Sequence, residues 1–162
     1  MLSSFSRCAN RKLPSSSHTR QNFLDTVMMN QESPQATEQQ KRFVILRHHF
    51  PDSGKGEFFD HFDLMLQQDS KLATWQLEEL PSSDKVVPAK KLADHREAYL
   101  DYEGPVSGDR GSVEQVMTGT YKICEENDSC LEVLLTSSDQ SMRLKIVSGV
   151  SGTATISVLP EI

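Results

Sequence analysis

Residues 46–66, "LRHHFPDSGKGEFFDHFDLML", hold three of the chain's five histidines. Residue types and spacing there are those of metal or phosphate chemistry. In "HFDLML", strand alternation sends His61, Asp63 and Met65 to one face and Phe62, Leu64 and Leu66 to the other. The apolar set packs inward, leaving an imidazole and a carboxylate roughly 6.5–7 Å apart along the strand over one surface. A third donor from a neighbouring strand end, His48 or His49, completes two nitrogens and one carboxylate oxygen around a divalent ion. Three protein ligands leave positions open for water and substrate, as a catalytic metal requires. Imidazole favours manganese, zinc or iron over the hard cations calcium and magnesium. The plain alternative is a solvated strand face, because His-x-Asp on a strand is a common pattern.

Strands must position these groups. From Arg42 onward the chain consists of short apolar runs separated by turn residues. "RFVILRH", "HFDLMLQ", "KLATWQLEE", "SVEQVM", "TYKICEE", "CLEVLLT", "MRLKIVS" and "TATISVLP" each read as a strand. "PDSGKGE", "LPSSDK", "GPVSGDRG", "EENDS", "SSDQS" and "SGVSG" supply the turns. The expectation is a mainly β fold: a small closed or partly open β-barrel of short, mostly antiparallel strands, spanning residues 42–160. One short helix is expected in "ADHREAYLDY", where Asp94 and Glu97 have capping-box spacing and His95 and Tyr99 would share a helical face.

Residues 1–41 are rich in Ser, Gln, Asn and Thr and read as a disordered tail. Their opening has the Arg- and Ser-rich, acid-free composition of an organelle transit peptide; a mis-annotated start, with translation beginning at Met28 or Met29, accounts for it equally well. Five Lys/Arg face three Asp/Glu in residues 1–41, whereas twelve face twenty in residues 42–162. An acidic domain without a basic stripe is not built to track nucleic acid along its length, so any contact is with an end, in one pocket. No apolar run approaches the roughly 18 residues of a membrane span, and no membrane partner is expected. Cys124 and Cys130 bracket the turn "EENDS" and could face one another across it; reduced thiols of a cytoplasmic protein are the simpler reading.

Taken in order, His48, "HFDLML", Trp75, "DHREAYLDYEG" (94–104) and "RGSV" (110–113) resemble the 3′-phosphoesterase domain of bacterial DNA ligase D, and more closely its small stand-alone relatives. The likeness covers residues 42–123, with a longer loop between His48 and His61 than in the ligase domain. It implies a compact β-barrel that binds manganese and trims nucleic-acid 3′ ends in DNA repair and non-homologous end joining, removing a terminal 3′-phosphate or ribonucleotide. The family's metal ligands fall on His48, His61 and Asp63, and its phosphate-facing, catalytic histidine and tyrosine on His95 and Tyr99. This chain contains no ligase or polymerase module, so a joining partner would be a separate protein.

Two departures bear on activity. The family's arginine two residues after the metal aspartate is Met65 here, and its lysine four residues after the tryptophan is Glu79. An arginine fork binds two phosphate oxygens at once, so losing both cations weakens the phosphate site. Arg110, Arg96 and Arg47 are the available substitutes. A catalytically weak or inactive end-binding adaptor of the same fold is therefore the alternative, and two histidines with one carboxylate also suit a non-haem iron oxygenase. Trp75 reads as a core or rim aromatic, and His49 as a neighbour of the site on the opposite strand face.

Overall fold

The computed structural model describes residues 40–51 and 59–160 of the chain. The expectations for the N-terminal segment lie outside the described residues, apart from Gln40 and Lys41. Ten strands form: β1 (Lys41–His49), β2 (His61–Gln68), β3 (Lys71–Leu77), β4 (Val86–Lys91), β5 (His95–Arg96), β6 (Gly104–Pro105), β7 (Ser112–Glu126), β8 (Cys130–Thr136), β9 (Ser141–Ser148) and β10 (Thr153–Leu159). A 3₁₀ turn, η1, covers Glu97–Leu100. Two antiparallel meanders, β1-β2-β3-β4 and β7-β8-β9-β10, join through β4–β10 and close through β1–β7 into an eight-stranded barrel. Closure removes the free sheet edges that an open sheet of this size would expose. No helix among the described residues is long and apolar enough to cross a membrane.

Alternation builds two separate cores. Phe43, Ile45, Leu64, Leu66, Trp75, Leu77, Tyr121, Val133, Leu144 and Ile156, drawn from most of the barrel strands, fill the interior. Trp75 is among them, with the Lys91 ammonium over its ring at 4.8 Å. The opposite parity of β1, β2 and β3 gives Val44, Leu46, Met65 and Leu72, which cluster with Val113 and Leu100 on the outside. These side chains would face water on a bare barrel. The β4–β7 connection roofs them instead, with Leu100 driven in from η1 and Tyr99 and Val106 packed beside it. Burying one such leucine stabilises the roof by about 1.5–3 kcal/mol. Polar ties fix its position: Arg42 makes a two-pronged ion pair with Asp101, Gln67 Nε2 donates to Glu97 Oε1, and Gln115 Nε2 donates to the Leu100 carbonyl.

Three local expectations need correction. The short helix expected in this segment is present as η1, but it starts later than the capping-box spacing places it: His95 and Arg96 form a two-residue strand, so His95 shares no helical face with Tyr99, and Arg96 stands at the N-cap without a side-chain cap. Asp94 instead accepts from Lys91 Nζ, and pairing of His95 and Arg96 with Leu72 and Lys71 holds the backbone extended. "SVEQVM" and "TYKICEE" are one 15-residue strand, bent by register shifts opposite Ile45/Leu46 and at Ile123/Glu125. Finally, "VVPAKK" is a strand that its proline conceals. Pro88 lies opposite Thr155 of β10, and pairing to β3 starts only at Ala89, beyond the residue that lacks a donor.

Candidate metal and phosphate site

His48, the last residue but one of β1, lies directly opposite His61, which begins β2, and Asp63 follows on the same outer face. Hairpin register thus places two imidazoles as a cross-strand pair with a carboxylate one alternation further in. One donor atom from each of the three residues lies within 4.8 Å of the others. Asp63 Oδ2 is 3.6 Å from His61 Nε2 and 3.9 Å from His48 Nδ1. The expected separation of side-chain origins along the strand is therefore closed by convergence of the side chains.

Each imidazole spends its other nitrogen on a backbone carbonyl. His48 Nε2 donates to the Arg110 carbonyl at 2.7 Å, and His61 Nδ1 donates to the Phe59 carbonyl at 3.0 Å. A carbonyl can only accept, so these contacts fix the tautomers and leave lone pairs on His48 Nδ1 and His61 Nε2, the two atoms that face Asp63. Metal-binding histidines are held by such outer partners. The Phe50 ring stacks on His48 at 4.2 Å and lies 5.4 Å from His61, shielding one side of the pair. Asp63 is 4% exposed, and its Oδ1 is buried with no hydrogen-bond partner among the described residues. An unbonded buried carboxylate oxygen is costly without a cation. The donor set and this orphaned oxygen fit a divalent ion.

Electrostatics divide the two histidines. Burial pushes the His48 pKa down, helped by the neighbouring His61 and Arg110 charges and opposed by the Arg110 carbonyl and Asp63. For His61 burial also pulls downward, but the Asp63 carboxylate and the Phe59 carbonyl outweigh it and the net shift is upward. His48 thus offers its lone pair more readily near neutral pH, whereas a proton competes for His61.

The second carbonyl partner depends on a glycine. Gly111 has φ +80°, and a Cβ there would stand 1.8 Å from the His49 carbonyl oxygen. Only glycine permits β7 to enter this close to the end of β1, which is what brings the Arg110 carbonyl to His48. Arg110 itself curls back, its Nε donating to the Ser107 carbonyl at 2.8 Å.

The remaining expected residues are placed as follows. His95 and Tyr99 are in edge contact, ring centres 5.6 Å apart, with His95 Nδ1 donating to the Ala93 carbonyl. Tyr99 packs against the outer cluster that also contains Met65, the neighbour of the triad on its strand face. Arg96 and Tyr99 line a cleft of about 230 Å³ together with Tyr102 and Ser107. Arg47 points to the other side of the barrel mouth, near Asp60 and Glu114. There His49 donates from Nδ1 to Asp60 at 2.9 Å and from Nε2 to Glu114 at 3.0 Å. Glu114, then Asp60, raises the His49 pKa. His49 is a fully engaged neighbour and has no nitrogen left for the triad. Met65 is 1% exposed, inside the outer cluster, and Glu79 pairs with Lys85. Cys124 and Cys130 are both free; Cys130 lies opposite Val147.

Sequence reasoning missed the Phe59 and Arg110 carbonyls and the Phe50 ring. Backbone acceptors leave no residue-type signal, although a glycine directly after Arg110 marks the close approach.

No protein-family model matches the chain, and no curated protein matches it.

Proposed function

We propose that the protein is a metal-dependent phosphoesterase acting on 3′ ends of nucleic acid, holding manganese, or alternatively zinc or iron, on His48, His61 and Asp63. One observation carries the reading: two histidines whose outward nitrogens are tied to carbonyls aim their free nitrogens at a buried aspartate with an unbonded oxygen. The ordered resemblance to the ligase D 3′-phosphoesterase domain supplies the substrate class. A divalent ion at this position polarises a phosphoryl oxygen and lowers the pKa of bound water. In hydrolysis water adds to phosphorus, the ester P–O bond breaks, and the leaving alkoxide takes a proton. His95 is the donor in this reading: its Nδ1 is committed to the Ala93 carbonyl, which leaves Nε2 for the substrate. The Tyr99 hydroxyl donates to the same phosphate, and Arg110, whose charge is felt at His48, stands in for the missing arginine. A joining enzyme, ligase or polymerase, would take over the trimmed end.

The test is incubation with a 3′-phosphate primer and a primer ending in one ribonucleotide, each with manganese. Release by the wild type that His61→Ala lacks is expected; equal release from both proteins would remove the proposal.

A second reading, an end-binding adaptor without turnover, draws on Met65 and Glu79. Neither position can lend a cation to phosphate, because one is buried among hydrocarbon and the other is an acid paired with Lys85. That reading expects primer binding with no product.

A further inference from the structure

Apart from Tyr99, the walls of the cleft beside η1 have no part in the chemistry proposed above. Its walls include the rings of Tyr99 and Tyr102, set edge to face with centres 5.9 Å apart, and the apolar side chain of Val106. Tyr102 is 38% exposed, and its hydroxyl is committed to the Pro105 carbonyl, which pins the ring in place. Arg96 lines the same cleft and has no ion-pair partner among the described residues, and the Tyr99 hydroxyl has no hydrogen bond among them. A fixed aromatic wall, an unpaired guanidinium and an unpaired phenol together suit a flat heterocycle that carries an anion. At about 230 Å³ the cleft falls below the range of drug-sized sites, about 300–1,000 Å³. A cleft of this volume suits a small ligand or the end residue of a longer one.

Its position relative to the triad is set by one short loop. Ser107 lines the cleft, Arg110 Nε donates to the Ser107 carbonyl at 2.8 Å, and the Arg110 carbonyl accepts from His48 at 2.7 Å. One residue, Arg110, therefore touches the cleft-lining Ser107 through its side chain and His48 through its backbone.

We infer that the cleft formed by Arg96, Tyr99, Tyr102 and Ser107 binds the terminal nucleoside of a 3′ end. The inference rests on the phosphoesterase reading and narrows its substrate. A terminal nucleotide joined through its 5′-oxygen would seat its base on Tyr102 and direct the scissile phosphate along Arg96 and Arg110 toward the triad. Such a diester is then the preferred substrate, and a bare 3′-phosphate gains nothing from the cleft.

AMP reproduces the terminal nucleotide, with its 5′-phosphate in place of the scissile one. Saturation-transfer NMR of the full chain with AMP in EDTA is expected to show strongest saturation on the adenine protons. Ribose 5-phosphate should compete roughly tenfold more weakly or worse, because base stacking is absent. Tyr102→Ala and Arg96→Gln are each expected to weaken AMP by roughly tenfold, while Tyr102→Phe, which keeps the ring, retains most of the affinity. Circular dichroism melting checks that the variants fold. Equal competition by ribose 5-phosphate, or unaltered AMP binding by a folded Arg96→Gln, Tyr102→Ala double variant, overturns the inference. Because this binding is read without metal, its failure leaves the manganese-dependent primer assay standing, and failure of that assay leaves the AMP affinity measured.

Discussion

Two carboxylates are buried in this barrel to the same extent, Asp63 and Glu132, each 4% exposed. Glu132 has a cation for each oxygen: Arg143 Nη2 donates to Oε2 at 2.8 Å and Lys145 Nζ to Oε1 at 3.0 Å, both from the neighbouring strand β9. Asp63 has no Lys or Arg partner among the described residues. Its Oδ2 faces His61 Nε2 and His48 Nδ1, and its Oδ1 has no hydrogen-bond partner among those residues. Folding supplies everything Glu132 needs, so its burial has a structural explanation. Around Asp63 the described residues supply donors arranged around a point and no Lys or Arg to balance them. A carboxylate completed from within is part of the scaffold; one left incomplete beside two oriented imidazoles has the form of a ligand set, which is what the proposed metal site rests on.

The sharpest way to break the contrast is to give Asp63 a cation from its own strand. Met65→Arg restores the arginine of the ligase D pattern, yet Met65 sits among Val44, Leu46, Leu72, Leu100 and Val113. A guanidinium there is buried in hydrocarbon, and the variant is expected to lose about 3–5 kcal/mol in urea unfolding. Stability within about 1 kcal/mol of wild type, together with weakened manganese binding, would show instead that the new charge reaches Asp63.

Gly111→Ala attacks the outer support of His48. Its positive φ and the clash with the His49 carbonyl are expected to cost about 2–3 kcal/mol, and displacement of the Arg110 carbonyl should weaken manganese binding about 10–100-fold. Gly108 also has positive φ, +79°, but a Cβ there meets nothing closer than 3.8 Å. Gly108→Ala is therefore expected to cost about 1 kcal/mol and to leave metal affinity alone. Equal metal affinities in the two variants would detach the Arg110 carbonyl from the site.

Asp63→Asn separates ligand from scaffold. The amide can donate to an imidazole lone pair, so the metal-free variant should melt within about 1 kcal/mol of wild type. Wild type with manganese at one hundred times its Kd should gain about 2.7 kcal/mol, and the variant none. Calorimetric melting with and without manganese measures both.

Much of this was legible in residue order. Period-two alternation located β1, β2, β3, β8, β9 and β10, and it put His61 and Asp63 on one face, because a closed barrel with a dry interior forces that period. Alternation alone did not show that Met65, on the same face, would be covered. That required a roof of non-local origin, Leu100 and Val106 arriving from a connection some 35 residues further along the chain. Local capping spacing at Asp94 and Glu97 lost to pairing with β3, a tertiary contact that sequence windows do not contain. The choice between His48 and His49 came from the resemblance, and register supplies its reason: His48 lies opposite His61, while His49 turns to Asp60 and Glu114.

The satisfied carboxylate provides the smallest and cleanest prediction. The Glu132 pKa is held below its ordinary value of 4.5 by Lys145 first and then Arg143, against the opposing effect of burial. A group whose folded pKa is depressed binds its proton more readily in the unfolded chain, so its contribution to stability is fully present above about pH 4.5 and is lost as pH falls through the lower, folded value. Glu132→Gln has no such proton to take up. Its melting temperature should lie below that of wild type at pH 7, and the gap should close as acid is added through and below the ordinary carboxylate range. Addition of manganese should not alter that gap, because Glu132 is no part of the ligand set. A gap that stays constant with pH would mean that Arg143 and Lys145 hold Glu132 by geometry alone, and the contrast with Asp63 would then rest on packing rather than on charge.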